Sequence, residues 1–264
     1  MAGKVVLVFS PVQKGWGSST FALSLAAALE CSGTGRTILL DIYDDVSSCE
    51  FYTRNDTAKR AEGEIGDVFV KWRRNESLIP FSKKLSEYTY ILPIKAIDFF
   101  GKEDKSEQFN SYIETASSFF DILILRVDGK HAKRYSSLAK ASYSVVSGSF
   151  EYRKEVLERK NMHWLRKMTE SQDIKTIHNC GDKLDDSISG FLPYCERLNH
   201  AASKHQEAYK VLREELMARD SIFSSNIGEI AADLLVDLGM KNKSLEVREN
   251  PLKFKFANLF RKGN

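Results

Sequence analysis

No segment of this 264-residue chain holds together the roughly eighteen apolar residues that a membrane span requires, so any contact with a bilayer is expected to be peripheral. The apolar run Val5–Phe9 is far too short for that purpose and lacks the flanks of a cleavable leader; it reads as a buried strand. Paired cysteines are missing too. Cys31, Cys49, Cys180 and Cys195 are widely spaced with no CxxC, which argues against a disulfide framework and a structural zinc site and fits a reducing cytoplasm. Charge of one sign is scarce: the net value is +3, with both signs mixed along the chain, so no nucleic-acid partner is expected. The five histidines form no ligand pair, His200 and His205 being five apart rather than four, and no Ser-His-Asp or Cys-His grouping emerges. Repeats and low-complexity tracts are also absent.

What remains is a composition of 42% apolar and 28% charged residues, enough for one large α/β domain. Strand patterns at Val5–Phe9, Thr37–Asp41, Tyr88–Leu92, Ile122–Leu125 and Ser144–Ser147 alternate with helical ones. The helices are a buried Thr20–Glu30, amphipathic Ile65–Arg73 and Glu107–Ser118, and a solvated Tyr152–Glu170. Beyond Ile188 the chain reads as mostly helical to Gly239, and composition shifts near Lys241–Pro251. Such alternation predicts a mostly parallel sheet covered by helices on both faces.

Between the first strand and first helix lies Ser10–Thr20, SPVQKGWGSST. Backbone N–H groups of a glycine-rich turn, together with a helix N-terminus, form an anion site. The same residues also suit a plain capped turn, with Ser18 or Ser19 as the cap. In this loop the chain resembles the MinD/ParA family, whose deviant Walker A motif carries a signature lysine, paired glycines, a third glycine, a second lysine and Thr/Ser. Aligned on it, Lys14 is the signature lysine, Gly15 the first paired glycine and Thr20 the Mg²⁺-ligating hydroxyl. The loop departs from the pattern at Gln13, at Trp16 for the second paired glycine, at Ser18 for the third, and at Ser19 for the phosphate-binding lysine. The resemblance implies a doubly wound P-loop fold and a nucleotide site of Lys14, Gly15, Trp16, Gly17, Ser18, Ser19 and Thr20. ATP and Mg²⁺ would be held weakly, the metal by Thr20 and Asp41. Trp16 would either stack on a base or a partner, or fill the vacated phosphate pocket.

Two further landmarks of the family are altered. In LLDIYDD the first acid matches Asp41, while Tyr43 falls on the catalytic one, with Asp44 and Asp45 close by. In FDILILRVDG the acid that supports the metal's water shell becomes Arg126, and Asp128 lies two residues on, where the strand is expected to be leaving the sheet. At an exposed position an Arg126–Asp128 pair would contribute little. Three altered junctions imply relaxed demand for hydrolysis and no catalytic residues. The resemblance runs from Val5 to about Tyr194, with SISGFLPYCERLNHA standing for the family's isoleucine-proline-acidic segment. The strand YILP and the absence of a long DNA-binding insertion make the chain most similar to TadZ/CpaE-like proteins, which position pilus or secretion machinery.

The chain thus divides into a domain over residues 1–240 and a polar linker with a basic tail over 241–264. In a helix after Pro251, Leu252, Phe256, Leu259 and Phe260 share one side, flanked by Lys253, Lys255 and Lys262. That arrangement suits either an anionic bilayer surface or a docking face on protein. The MinD resemblance implies the former, at the cytoplasmic face of the membrane. It also implies a homodimer. The function expected is a non-hydrolysing, weakly nucleotide-binding scaffold that recruits a pilus or secretion assembly; the alternative is a slow ATPase serving as a nucleotide-gated dimerisation switch.

Overall fold

The computed structural model describes residues 3–11, 16–43, 82–95, 106–148, 152, 153, 155, 168, 173–180, 188–203 and 208–240. Eight strands form one sheet: β1 (Lys4–Ser10), β2 (Thr37–Tyr43), β3 (Lys83–Lys84), β4 (Thr89–Lys95), β5 (Ile122–Asp128), β6 (Ala141–Val146), β7 (Ile174–Asn179) and β8 (Gly190–Leu192). Their order is β3-β4-β2-β5-β1-β6-β7-β8. Among the described residues only the β3–β4 pairing is antiparallel. The chain runs outward from β1 to β2 and β4, returns to insert β5 between β1 and β2, and continues to β6, β7 and β8 on the other side. In a doubly wound sheet such a reversal opens a crevice at the carboxyl ends of the strands.

Among the described residues six helices cover the sheet: α1 (Ser18–Cys31), α2 (Ser106–Ala116), α3 (Gly129–Tyr135), α4 (Glu196–Ser203), α5 (Ala208–Ala218) and α6 (Ile222–Asp237). The core falls into two layers. On one face Val6, Val8, Leu39 and Ile124 pack with α1, α5 and α6; on the other Leu7, Phe9, Leu40 and Leu125 pack with Phe109 and Tyr112 of α2 and Tyr135 of α3. Strands covered on both sides read as continuous apolar runs, which is why β1, β2 and β5 are visible in the sequence. Helix α1 is apolar nearly all round and accordingly buried from Ser18 to Leu29 apart from Thr20.

The sequence reading misses three strands. In β7 (IKTIHN) polar residues interrupt the run, and β8 and β3 are three and two residues long. The segment beyond Ile188 is helical as expected except for β8. The helix expected at Ile65–Arg73, nearly all of Tyr152–Glu170, and the tail with Leu252, Phe256, Leu259 and Phe260 lie outside the described residues.

One buried acid joins three elements. Glu30 sits in the last turn of α1, where a carboxylate opposes the helix dipole. Its position is compensated by donors from elsewhere: the Ser86 hydroxyl, Thr89 Oγ1 at 2.7 Å, Tyr209 OH at 3.0 Å and Arg213 Nη2 at 3.0 Å. Burial, and then the Glu30 carboxylate, push the Tyr209 phenol well above its ordinary pKa, so it stays a donor at neutral pH. The cluster ties α1 to the turn before β4 and to α5. Glu30→Ala leaves these donors unmatched and is expected to lower unfolding free energy by about 2–4 kcal/mol in a urea titration. An unchanged midpoint would show that the cluster carries no stability.

Candidate functional site

The site lies where the apolar layer beneath α1 gives way to polar residues. Side chains alternate along a strand, so Ser10 shares the face of Val8, Asp41 that of Leu39, and Arg126 and Asp128 that of Ile124. The register sets Asp41 beside Arg126 and Ser10 beside Asp128. One step along the strands, aliphatic packing is replaced by charge.

Arg126 is the centre of this layer and is 6% exposed. Its Nη1 lies 3.1 Å from Asp41 Oδ1, its Nη2 lies 2.9 Å from Asp128 Oδ1, and its Nε lies 3.4 Å from Ser18 Oγ. Asp41 is fully buried and Asp128 nearly so. The Arg126–Asp128 pair is therefore not the exposed contact expected above. Nor does Asp128 leave the sheet: it is the last residue of β5, paired with Ser10. The strand stays in register to that point because Gly129 follows, whose absent side chain would stand 2.3 Å from the Ser10 carbonyl oxygen. The Ser10 hydroxyl is buried and has no hydrogen-bond partner among the described residues.

Above this layer α1 begins at Gly17, which has φ 84° and no side-chain cap. Ser18 and Ser19 lie inside the helix, so neither is the cap that the plain-turn reading requires. The first-turn N–H groups of a helix lack intrahelical acceptors, and no acid stands in this first turn, a setting that favours an anion. Ser18 and Ser19 are buried at that end. Trp16 is also buried, packed with Val146 and Ile188 and tilted against Tyr152 at 6.4 Å between ring centres. Lys14, Gly15, Asp44 and Asp45 lie outside the described residues, and Tyr43 ends β2.

Thr20 is placed on a different side of the helix start from Ser18. It lines a pocket of about 90 Å³ with Asn179, Cys180, Pro193, Tyr194 and Cys195. Asn179 and Cys180 escape the sequence reading because β7 does; an Asn closing a strand is the signal that could have marked them. Burial pushes both pocket thiols up, which keeps them protonated and poor nucleophiles at neutral pH.

The donor set can be tested against the Mg²⁺ that the resemblance implies. Hard divalent cations need carboxylate and hydroxyl oxygens free of competing cations. Here Asp41 is already bound to a guanidinium, and among the described residues no group of three or more His, Cys, Asp or Glu is placed to hold a metal. An ion about 2.1 Å from Asp41 Oδ1 would stand within about 5 Å of Nη1, given the 3.1 Å ion pair, where repulsion at an effective dielectric of about 20 is about 7 kcal/mol. The residues present do not fit a divalent ion at Asp41.

No protein-family model matches the chain, and no curated protein matches it in sequence. Solved structures do match in fold. A ParA family ATPase from Chlorobium tepidum TLS superposes with a TM-score of 0.65 at 19% identity, over 88% of this chain and 98% of the other. MinD in the MinC:MinD cell division complex of Aquifex aeolicus gives 0.64 at 15% identity, over 88% and 96%. The septum site-determining protein MinD of Pyrococcus horikoshii OT3, complexed with Mg-ADP, gives 0.58 at 13%, over 88% and 96%. The chain has the MinD/ParA-type P-loop fold.

Gly17 offers a test of the helix start. A Cβ there would stand 2.0 Å from Asn179 Nδ2, on a backbone that side chains rarely adopt. Gly17→Ala is expected to lower stability by about 1–3 kcal/mol. Adding Asn179→Ala should return only the steric part, read as coupling in a double-mutant cycle. Full additivity would show that the two residues do not meet.

Proposed function

We propose that this chain is a MinD/ParA-like scaffold that binds nucleotide without hydrolysing it and works by recruiting a partner assembly. The observation that carries the reading is Arg126, held between Asp41 and Asp128 at the carboxyl edge of the sheet. In P-loop enzymes the metal ion bridges the β- and γ-phosphates and neutralises the charge that develops on bond cleavage. A site whose acid is occupied by a guanidinium lacks that device. The start of α1, with no acid in its first turn and no side-chain cap among the described residues, supports phosphate binding, and the pocket between Thr20 and Asn179 lies beside it.

The finer parts of the reading rest on sequence. The similarity to TadZ/CpaE-like proteins supports a pilus or secretion assembly as the partner. The fold supports a homodimer, because in the MinD/ParA type nucleotide is sandwiched between subunits and Lys14 is the residue that would reach across. The apolar side Leu252, Phe256, Leu259 and Phe260, bordered by lysines, supports peripheral attachment at the cytoplasmic face of the membrane.

Calorimetric titration with ATP, paired with a phosphate-release assay at high protein concentration, tests the core of the proposal. Binding without release above the buffer rate is expected. Turnover that vanishes in Thr20→Ala would replace the proposal with a slow ATPase. For the membrane part, removing Leu252–Asn264 should abolish co-sedimentation with vesicles rich in anionic lipid while leaving the circular dichroism spectrum unchanged; sedimentation that survives the deletion would dismiss it.

A further inference from the structure

We propose that the Arg126 guanidinium is the resident cation of this site: it stands at Asp41 in place of a divalent ion, so the site neither needs nor admits one. Three partners from three elements converge on its fork: Asp41 on β2, Asp128 at the end of β5 and Ser18 at the start of α1. Guanidinium is always charged and planar, with donors that reach separate carboxylates at once. Unlike an ion it cannot dissociate, so the link between α1 and the sheet persists whether or not a ligand is present.

The charge balance follows from the same contacts. Two buried carboxylates without a counter-charge would be strongly disfavoured, and Arg126 supplies one positive charge that both share. Removing it, with Asp41 and Asp128 left in place, creates the oxygen-lined, negatively charged setting that hard cations seek. The metal preference of this chain is thus decided by one side chain.

Mn²⁺ serves as the probe, its free concentration read by electron paramagnetic resonance, on wild type, Arg126→Asp, Arg126→Gln and Arg126→Lys. Wild type and Arg126→Lys are expected to bind no Mn²⁺ through Asp41. Arg126→Asp should gain it, with affinity at least roughly tenfold above wild type, a gain that Asp41→Asn abolishes. Arg126→Gln carries the same expectation and stands in if Arg126→Asp fails to fold. Wild-type Mn²⁺ binding that is lost on Asp41→Asn would overturn the assignment, as would folded Arg126→Asp and Arg126→Gln that gain nothing.

A second arm rests on the nucleotide reading above: the wild-type ATP dissociation constant should agree within roughly twofold between EDTA and millimolar Mg²⁺. Tightening of tenfold or more by Mg²⁺ would overturn the resident cation. Absence of ATP binding in both buffers would instead reject the nucleotide reading, while the Mn²⁺ arm still decides the role of Arg126.

Discussion

The architecture of the site depends on one buried arrangement, a guanidinium shared between two carboxylates that the sheet register brings to the same face. Asp41 on β2 and Arg126 on β5 are neighbours across two parallel strands, and Asp128 lies one alternation further along β5. A charge removed from water here must find a counter-charge inside the protein, because the layer beneath is aliphatic. The fork of Arg126 meets that demand for both acids and reaches Ser18 above them. It therefore sets the charge of the crevice and helps fix where the first helix begins.

A second polar cluster acts at the other end of the same helix. Around Glu30 a carboxylate gathers donors from the turn before β4 and from α5, just as Arg126 gathers acceptors around the helix start. Between these two anchored ends, α1 is a nearly featureless apolar rod. Hydrophobic burial is non-directional, so it places such a rod against the sheet without specifying its position along the strands. Hydrogen-bonded charges at the two ends supply that specification, and the left-handed Gly17 junction, closed in by Asn179, adds a steric stop.

The chain joins a fold shared with ParA and MinD ATPases to a carboxyl edge at which Arg126 lies between Asp41 and Asp128. Strand order and the two-layer core bring the carboxyl ends of β2 and β5 together with the start of α1. Fold and function separate at this point: the same sheet carries different chemistry once a few side chains at its carboxyl ends change.

Much of the scaffold was legible in the sequence. Unbroken apolar runs marked β1, β2 and β5, and the alanine- and leucine-rich segment marked α1, because segments covered on all sides leave no room for polar residues. The loop after β1 and Asp41 stand out for the same reason, since they follow directly on those runs, whereas Arg126 is singled out by the resemblance to the MinD/ParA family. The short strands β3 and β8 carry too few residues to show a period, and β7 is interrupted by Lys175, Thr176 and His178. With β7 went Asn179 and the pocket beside Thr20. Whether Arg126 would face solvent or be enclosed between two acids was beyond sequence reasoning, since that depends on β5 returning to lie between β1 and β2 and staying in register as far as Asp128. A linear pattern records which residues are apolar; only the three-dimensional pairing of strands distant in the chain decides which charges become neighbours.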